Sequence, residues 1–63
     1  MDNKLLLKAF TNARNNILKA IRPLPSARLA FDMTVAEVVS LLHANNGDTA
    51  TVQALEELKF NAL

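Results

Sequence analysis

The stretch that decides the fold is Met33-Thr-Val-Ala-Glu-Val-Val-Ser-Leu-Leu-His-Ala-Asn-Asn-Gly47. Thr34 and Glu37 have the spacing of a capping box, in which a hydroxyl and a carboxylate satisfy two backbone N–H groups at the start of a helix. Met33 then stands where it can pack on Val38 as a hydrophobic staple. The pattern predicts a helix that starts at Thr34.

On the C-terminal side of this start, a turn and a further helix follow. The helix is predicted to end near Ala44, and Gly47, the only glycine of the chain, stands where a left-handed residue ends many helices. Asp48 or Thr49 is predicted to cap the last helix. The inner stripe of that helix is predicted to consist of Val52, Leu55, Leu58 and Ala62. Two further apolar residues, Phe60 and Leu63, can fold back on the core or enter an interface.

On the N-terminal side, the segment Arg22–Asp32 is predicted to be the linker. It opens with Pro-Leu-Pro, which favours an extended and stiff backbone, and its apolar residues predict that it packs on the domain. Ser26 is predicted to cap a single helical turn within it.

From Asn3 to Leu24, apolar residues recur at alternating intervals of four and three, which predicts one amphipathic helix or two short helices in line. Asp2 or Asn3 can cap its start, and Pro23 is predicted to stop it. A chain of this length gains only about 3–5 kcal/mol from its own core, so we expect a homo-oligomer, with a dimer favoured. The predicted interface residues are Leu6, Phe10, Ala13, Ile17 and Leu24.

Three asparagines in the middle of this first helix leave two explanations open. Asn12, Asn15 and Asn16 compete for backbone hydrogen bonds, so the helix is either broken near Asn12 or exposes a polar face that contacts phosphates or bases. Taken together, the segments predict one all-α domain over residues 1–63. It is a three-helix bundle in which a long amphipathic N-terminal helix precedes a capped αα-hairpin.

Composition excludes several classes of function. With 51% hydrophobic and 21% charged residues the chain is too apolar for a disordered protein. It has no cysteine and a single histidine, so no metal site or other cofactor is expected. His43 is the only candidate base, and its place near the C-terminal end of a helix is explained by the helix dipole, so we expect neither an enzyme nor a small-molecule substrate. No apolar run approaches the length of a membrane span, and we expect a cytoplasmic protein.

The charges are divided unevenly along the chain. Residues 1–31 hold six cations and one acid, whereas residues 32–63 hold one cation and five acids. Such an asymmetry is typical of a protein that binds an acidic partner such as nucleic acid. It also fits two helices of opposite charge that attract each other within a bundle or a dimer.

Three segments carry a resemblance to winged helix-turn-helix regulators, over residues 14–60 and without a wing. Arg14-Asn-Asn-Ile-Leu-Lys-Ala-Ile21 is similar to their first core helix, and Thr34-Val-Ala-Glu-Val-Val-Ser-Leu-Leu42 to their second. Thr51-Val-Gln-Ala-Leu-Glu-Glu-Leu58 resembles their recognition helix. The resemblance implies a trihelical core of helix-turn-helix type whose third helix binds the DNA major groove. The residues predicted to contact nucleic acid are Lys4, Lys8, Arg14, Lys19, Arg22, Arg28, Thr49, Thr51 and Gln53.

Two hypotheses about function remain open. In the first, the chain is a small helix-turn-helix-like regulatory protein that binds DNA as an oligomer. In the second, it is a helical protein–protein interaction or dimerisation module that regulates a partner protein without contacting DNA. Glu56 and Glu57 on the third helix favour the second hypothesis, because carboxylates repel phosphates. A third hypothesis is an acidic helix that competes with nucleic acid for a DNA-binding protein.

Overall fold

A computed structural model describes residues 3–22 and 24–62 of the chain. The predicted cap by Asp2, the stop at Pro23 and the packing of Leu63 lie outside the described residues. The three helices are α1 (Asn3–Lys19), α2 (Pro25–Ala44) and α3 (Thr49–Leu58), and the described residues contain no strand. The prediction of an all-α three-helix bundle is therefore confirmed.

Helix α1 runs without interruption through its asparagine-rich middle, so a break near Asn12 was the wrong alternative. Thr11 keeps its hydroxyl within the helix, where Oγ1 donates to the carbonyl oxygen of Leu7 at 2.8 Å. The helix ends at Lys19, five residues before the predicted end at Leu24. Leu24 is extended, with ψ at 127°, because the proline ring of the next residue excludes the helical conformation there.

Helix α2 begins at Pro25, nine residues before the predicted start at Thr34, so the predicted capping box and staple are wrong. Proline suits the first turn of a helix because its φ angle is already helical and no partner is needed for its missing N–H. Thr34 lies inside the helix, where its Oγ1 donates to the carbonyl oxygen of Ala30 at 2.8 Å. Met33 is 59% exposed instead of packed as a staple. The linker shrinks to residues 20–24, and Ser26 belongs to the first turn of α2.

The end of α2 is a Schellman motif built around Asn46 and not around Gly47. Asn46 takes the left-handed conformation, with φ at 54°, and its N–H bonds to the carbonyl oxygen of His43. The N–H of Gly47 bonds to the carbonyl oxygen of Leu42. A Cβ on Gly47 would lie 2.7 Å from both Cβ and O of Leu42, so glycine is required here for close approach.

Helix α3 starts with the predicted cap, because Asp48 Oδ1 accepts the N–H of Ala50 at 3.0 Å. The helix packs against both α1 and α2, which contact each other less. Helix α3 ends at Leu58, so Ala62 lies beyond it and is exposed instead of continuing the inner stripe. Phe60 folds back on the core, which is the first of its two predicted alternatives.

The core lies where α2 faces α3. Its buried apolar side chains are Phe31, Val35, Val39, Val52 and Leu55. Helix α1 covers this core with half-buried residues of its inner stripe, and the further half-buried apolar residues come from α2, α3 and the segment after α3. The half-buried residues are Leu6, Leu7, Phe10, Ile17, Val38, Leu42, Leu58 and Phe60.

Candidate nucleic-acid interface

The bundle separates the residues predicted to contact nucleic acid into two groups. Asn3 and Leu6 line one concavity together with Leu41 and Asp48, so the start of α1 lies beside the end of α2 and the start of α3. The last turn of α1, the connection and the first turn of α2 therefore lie at the opposite end. We call that end the basic end, and its cations are Arg14, Lys19, Arg22 and Arg28.

Two arginines of the basic end are held against one aromatic ring. The guanidinium carbon of Arg14 lies 4.9 Å from the ring centroid of Phe60, and that of Arg28 lies 5.5 Å from it. Arg14 also donates from Nε to the carbonyl oxygen of Leu58 at 2.8 Å, at the end of α3. The Phe60 ring packs edge-on against Phe31 with centroids 5.3 Å apart, so the core fixes the surface on which both guanidinium groups rest.

Asp32 holds the segment that carries Phe60. Its side chain is 7% exposed, and its two oxygens accept the N–H of Phe60 at 2.7 Å and that of Ala62 at 2.8 Å. Sequence reasoning counted Asp32 only as one charge of the acidic half. The sequence did contain a signal for this role. Asp32 follows Phe31 on the face of α2 that also buries Val35, and a buried carboxylate needs hydrogen-bond donors.

Arg28 has no such partner, although it lies one turn before Asp32 on the same helix. Its Nε is buried and makes no hydrogen bond to any described residue. The two Asp32 oxygens accept backbone N–H groups, and no ion pair joins Asp32 to Arg28 in the described part of the chain. Lys19 and Arg22 are exposed. The basic end thus combines two positioned arginines with two cations that face solvent.

The predicted base-contacting residues of α3 lie at the other end of the bundle. Thr49 and Gln53 are exposed there, whereas Thr51 is 3% exposed and donates its hydroxyl to Asp48 Oδ2 at 3.0 Å. Thr51 is therefore part of the helix cap and not available to a ligand. Glu57 is exposed on the same helix. The described structure leaves two of the three predicted side chains free to reach a base.

Lys4 and Lys8 lie in the first half of α1, one helical turn apart, and both are exposed. Lys4 lies near the start of α3, since its neighbour Asn3 and Asp48 line the same concavity, and Lys8 follows one turn later. The predicted phosphate contacts thus come from two separate parts of α1 and do not form one patch with Arg28.

Most of the predicted oligomer interface is used inside the protomer. Leu6, Phe10 and Ile17 pack against the core, while Ala13 is exposed and Leu24 is 65% exposed. Leu24 lines an open concavity of about 280 Å³ together with Ile17 at the basic end. The prediction of an oligomer stays a prediction, and Ala13 and Leu24 are the residues of the set that remain accessible to a second chain.

The described residues offer little for a metal site, a catalytic base or a membrane span. Among them there is no group of three His, Cys, Asp or Glu side chains that could hold a metal ion. His43 is exposed in the last turn of α2. None of the described helices has both the length and the apolar character needed to cross a membrane.

Comparison with known proteins returns no match to a protein-family model, to a curated protein or to a solved structure. A function therefore has to be inferred from the geometry and the charges of this chain.

Proposed function

We propose that the chain is a small helix-turn-helix-like regulatory protein that binds DNA as an oligomer, with phosphate contacts made by the basic end. The observation that carries the proposal is the pair of arginines on Phe60, whose guanidinium carbons lie 4.9 and 5.5 Å from the ring centroid. A guanidinium presents a planar fork of donors that matches phosphate, and a fixed one loses less entropy on binding than a mobile one.

Two exposed cations beside this arginine pair enlarge the positively charged surface that phosphates can contact. Lys19 ends α1 and Arg22 lies in the connection, so both can follow a phosphate backbone that passes the arginine pair. Phosphate contacts of this kind supply affinity and register but carry no sequence information. Thr49 and Gln53 are exposed at the start of α3 but lie at the opposite end of the bundle, so in this proposal the basic end supplies phosphate contacts alone.

The connection between α2 and α3 supports the helix-turn-helix element of the proposal. It comprises residues 45–48 and contains the only glycine of the chain, as short turns between such helices often do. An oligomer would use the accessible Ala13 and Leu24, and two copies would double the number of phosphate contacts. The proposal includes a cytoplasmic location, which is where we expect such a regulator to meet DNA.

The test is a titration of labelled full-length chain with a DNA duplex at several salt concentrations, followed amide by amide. We expect the amides of the basic end to shift, and the affinity to fall with salt as counterions are released. Each of the single changes Lys19→Glu and Arg22→Glu should lower the affinity and reduce the slope of log K against log salt by about 1. Arg14 is not chosen, because its hydrogen bond to Leu58 also holds α3.

The matched control is Lys8→Glu, which makes the same type of change on an exposed lysine of α1 outside the basic end. It should cost less affinity than either change at Lys19 or Arg22. An equal loss in all three variants would mean that general charge and not the basic end binds the duplex. No shift at low salt would exclude DNA binding.

A second candidate function, an interaction module that does not contact DNA, is favoured by large exposed apolar side chains. Leu24 is 65% and Leu41 is 63% exposed, and each lines an open concavity beside α1. A helix of a partner protein could insert apolar side chains at these two places. Under this hypothesis Leu24→Ser and Leu41→Ser would abolish assembly while the DNA titration stays blank.

A further inference from the structure

We infer that the concavity between the start of α2 and the segment after α3 is a binding site for a single phosphate group, with Arg28 as its main ligand residue. The inference deepens the proposed function and rests on it for the biological source of the phosphate. The concavity has a volume of about 410 Å³ and is open to solvent. Its lining consists of Pro25, Arg28, Phe60, Asn61 and Ala62.

The first step is the position of the Arg28 guanidinium, which lies beside the concavity and has no hydrogen-bond partner in the described part of the chain. Phe60 holds it there, with the guanidinium carbon 5.5 Å from the ring centroid. Its Nε is buried without a partner among the described residues, so a ligand in the open concavity reaches the two terminal nitrogens, which are not buried. Two nitrogens of one guanidinium can bind two oxygens of the same phosphate.

The second step is the absence of a competing carboxylate. Asp32 lies four residues after Arg28 on α2, a spacing at which acidic and basic side chains pair on a helix surface. Both Asp32 oxygens are instead taken by the N–H groups of Phe60 and Ala62, at 2.7 and 2.8 Å. We call residues 59–62 the C-terminal segment. Its docking turns the Asp32 carboxylate toward these N–H groups, and the guanidinium of Arg28 makes no ion pair with it in the described part of the chain.

The third step is the electrostatic character of the lining. None of the described residues that line the concavity has an acidic side chain, and Pro25 opens the 20-residue helix α2, whose start makes no side-chain cap hydrogen bond. The positive end of the helix dipole adds to the charge of Arg28. Arg14 contacts the same ring but does not line the concavity. A phosphate monoester, a phosphodiester and free phosphate share the oxygens that this site can bind.

The experiment titrates the full chain with inorganic phosphate at constant ionic strength, followed by NMR of backbone amides and of arginine Nε–H groups. We expect saturable shifts of the Arg28 Nε–H and of the Asn61 and Ala62 amides. Arg28→Gln should weaken binding at least about tenfold, since it removes a charged pair of donors. The control, Lys59→Gln, removes a nearby cation that does not line the concavity and should change binding less than about twofold.

A second pair of variants tests the role of the C-terminal segment. Ala62→Pro removes one N–H that Asp32 accepts and, because a proline disfavours the left-handed conformation of the preceding Asn61, loosens the end of the C-terminal segment. Because the freed carboxylate can then pair with Arg28, we expect phosphate binding to weaken about three- to tenfold. Adding Asp32→Asn to Ala62→Pro should restore it. If Ala62→Pro leaves the affinity unchanged, or if Asp32→Asn does not restore it, the role of the segment is refuted.

The source of the phosphate is resolved by comparing short single-stranded oligonucleotides with and without a 5′-phosphate. Preference for the phosphorylated form identifies a terminal monoester, and equal binding identifies the phosphodiester backbone. If inorganic phosphate shifts no Arg28 signal, the inference fails even where duplex DNA still binds through Lys19 and Arg22. If phosphate binds while duplex DNA does not, the site stands and the proposed function fails.

Discussion

Replacing Asp32 by Ala should remove the contact that fixes the end of the chain to α2. The side chain is 7% exposed, and its two hydrogen bonds measure 2.7 and 2.8 Å. Hydrogen bonds to a charged group contribute about 1.5–3 kcal/mol each. Two of them, reduced by the cost of keeping a carboxylate buried, stabilise the fold by about 3 kcal/mol. That is most of the roughly 3–5 kcal/mol expected for the core of a chain of this size.

The assay is urea unfolding of the wild type and the variant, followed by circular dichroism at 222 nm. With 1 kcal/mol corresponding to about 4–8 °C in a domain of this size, a parallel thermal scan should show the midpoint lowered by about 12–24 °C. Asp32→Asn should lose about half as much stability, because the amide oxygen can still accept one N–H. The control is Glu37→Ala, an exposed acid on the same helix, which should stay within about 0.5 kcal/mol.

The reasoning would be refuted if Asp32→Ala were as stable as the Glu37→Ala control. Asp32 would then contribute no net stability, and the docking of residues 59–62 would have to rest on the Phe60 ring alone. An equal loss for Asp32→Asn and Asp32→Ala would show that both bonds fail together once the charge is removed.

Three further changes test other parts of the structure. Gly47→Ala should destabilise the fold by about 1–3 kcal/mol in urea unfolding, since its Cβ would lie 2.7 Å from Leu42, and an unchanged midpoint would contradict the turn geometry. Thr34→Ala should leave the melting temperature unchanged or raise it slightly, because Thr34 lies within α2, whereas a helix cap would lose about 1 kcal/mol. Leu55→Ala should cost about 2–5 kcal/mol and leave the chain largely unfolded by NMR, whereas the same change at Leu5, which is 64% exposed, should preserve the folded spectrum.

Local patterns predicted some elements of this fold because their causes are local. The cap by Asp48 depends only on the two residues that follow it, and the structure has it as predicted. The prediction that α2 starts at Thr34 was wrong because a capping box depends on local sequence alone, whereas the burial of side chains before Thr34 favours a longer helix. Phe31 and Val35 lie one turn apart on the buried face of α2, so the helix extends back past Thr34 to bury both.

The candidate site was less predictable than the helices. The charges of Arg14 and Arg28 were visible in the sequence, but their common contact with Phe60 depends on a non-helical segment that returns to the core. The role of Asp32 was hard to predict for the same reason, since its hydrogen-bond partners lie 28 and 30 residues further along the chain. No periodic pattern reports such contacts, because they join residues that are distant in sequence and lie partly outside regular secondary structure.

The turn after α2 makes the deamidation of Asn46 depend on whether the protein is folded there. An asparagine followed by glycine deamidates when the glycine nitrogen attacks the side-chain carbonyl, and Asn46-Gly47 is such a pair. In the folded chain that nitrogen donates its hydrogen bond to the carbonyl oxygen of Leu42, and Asn46 is fixed at a φ of 54°. The attack therefore requires the turn to open. The fraction of molecules deamidated at residue 46 during storage therefore increases with the total time for which this turn has been open.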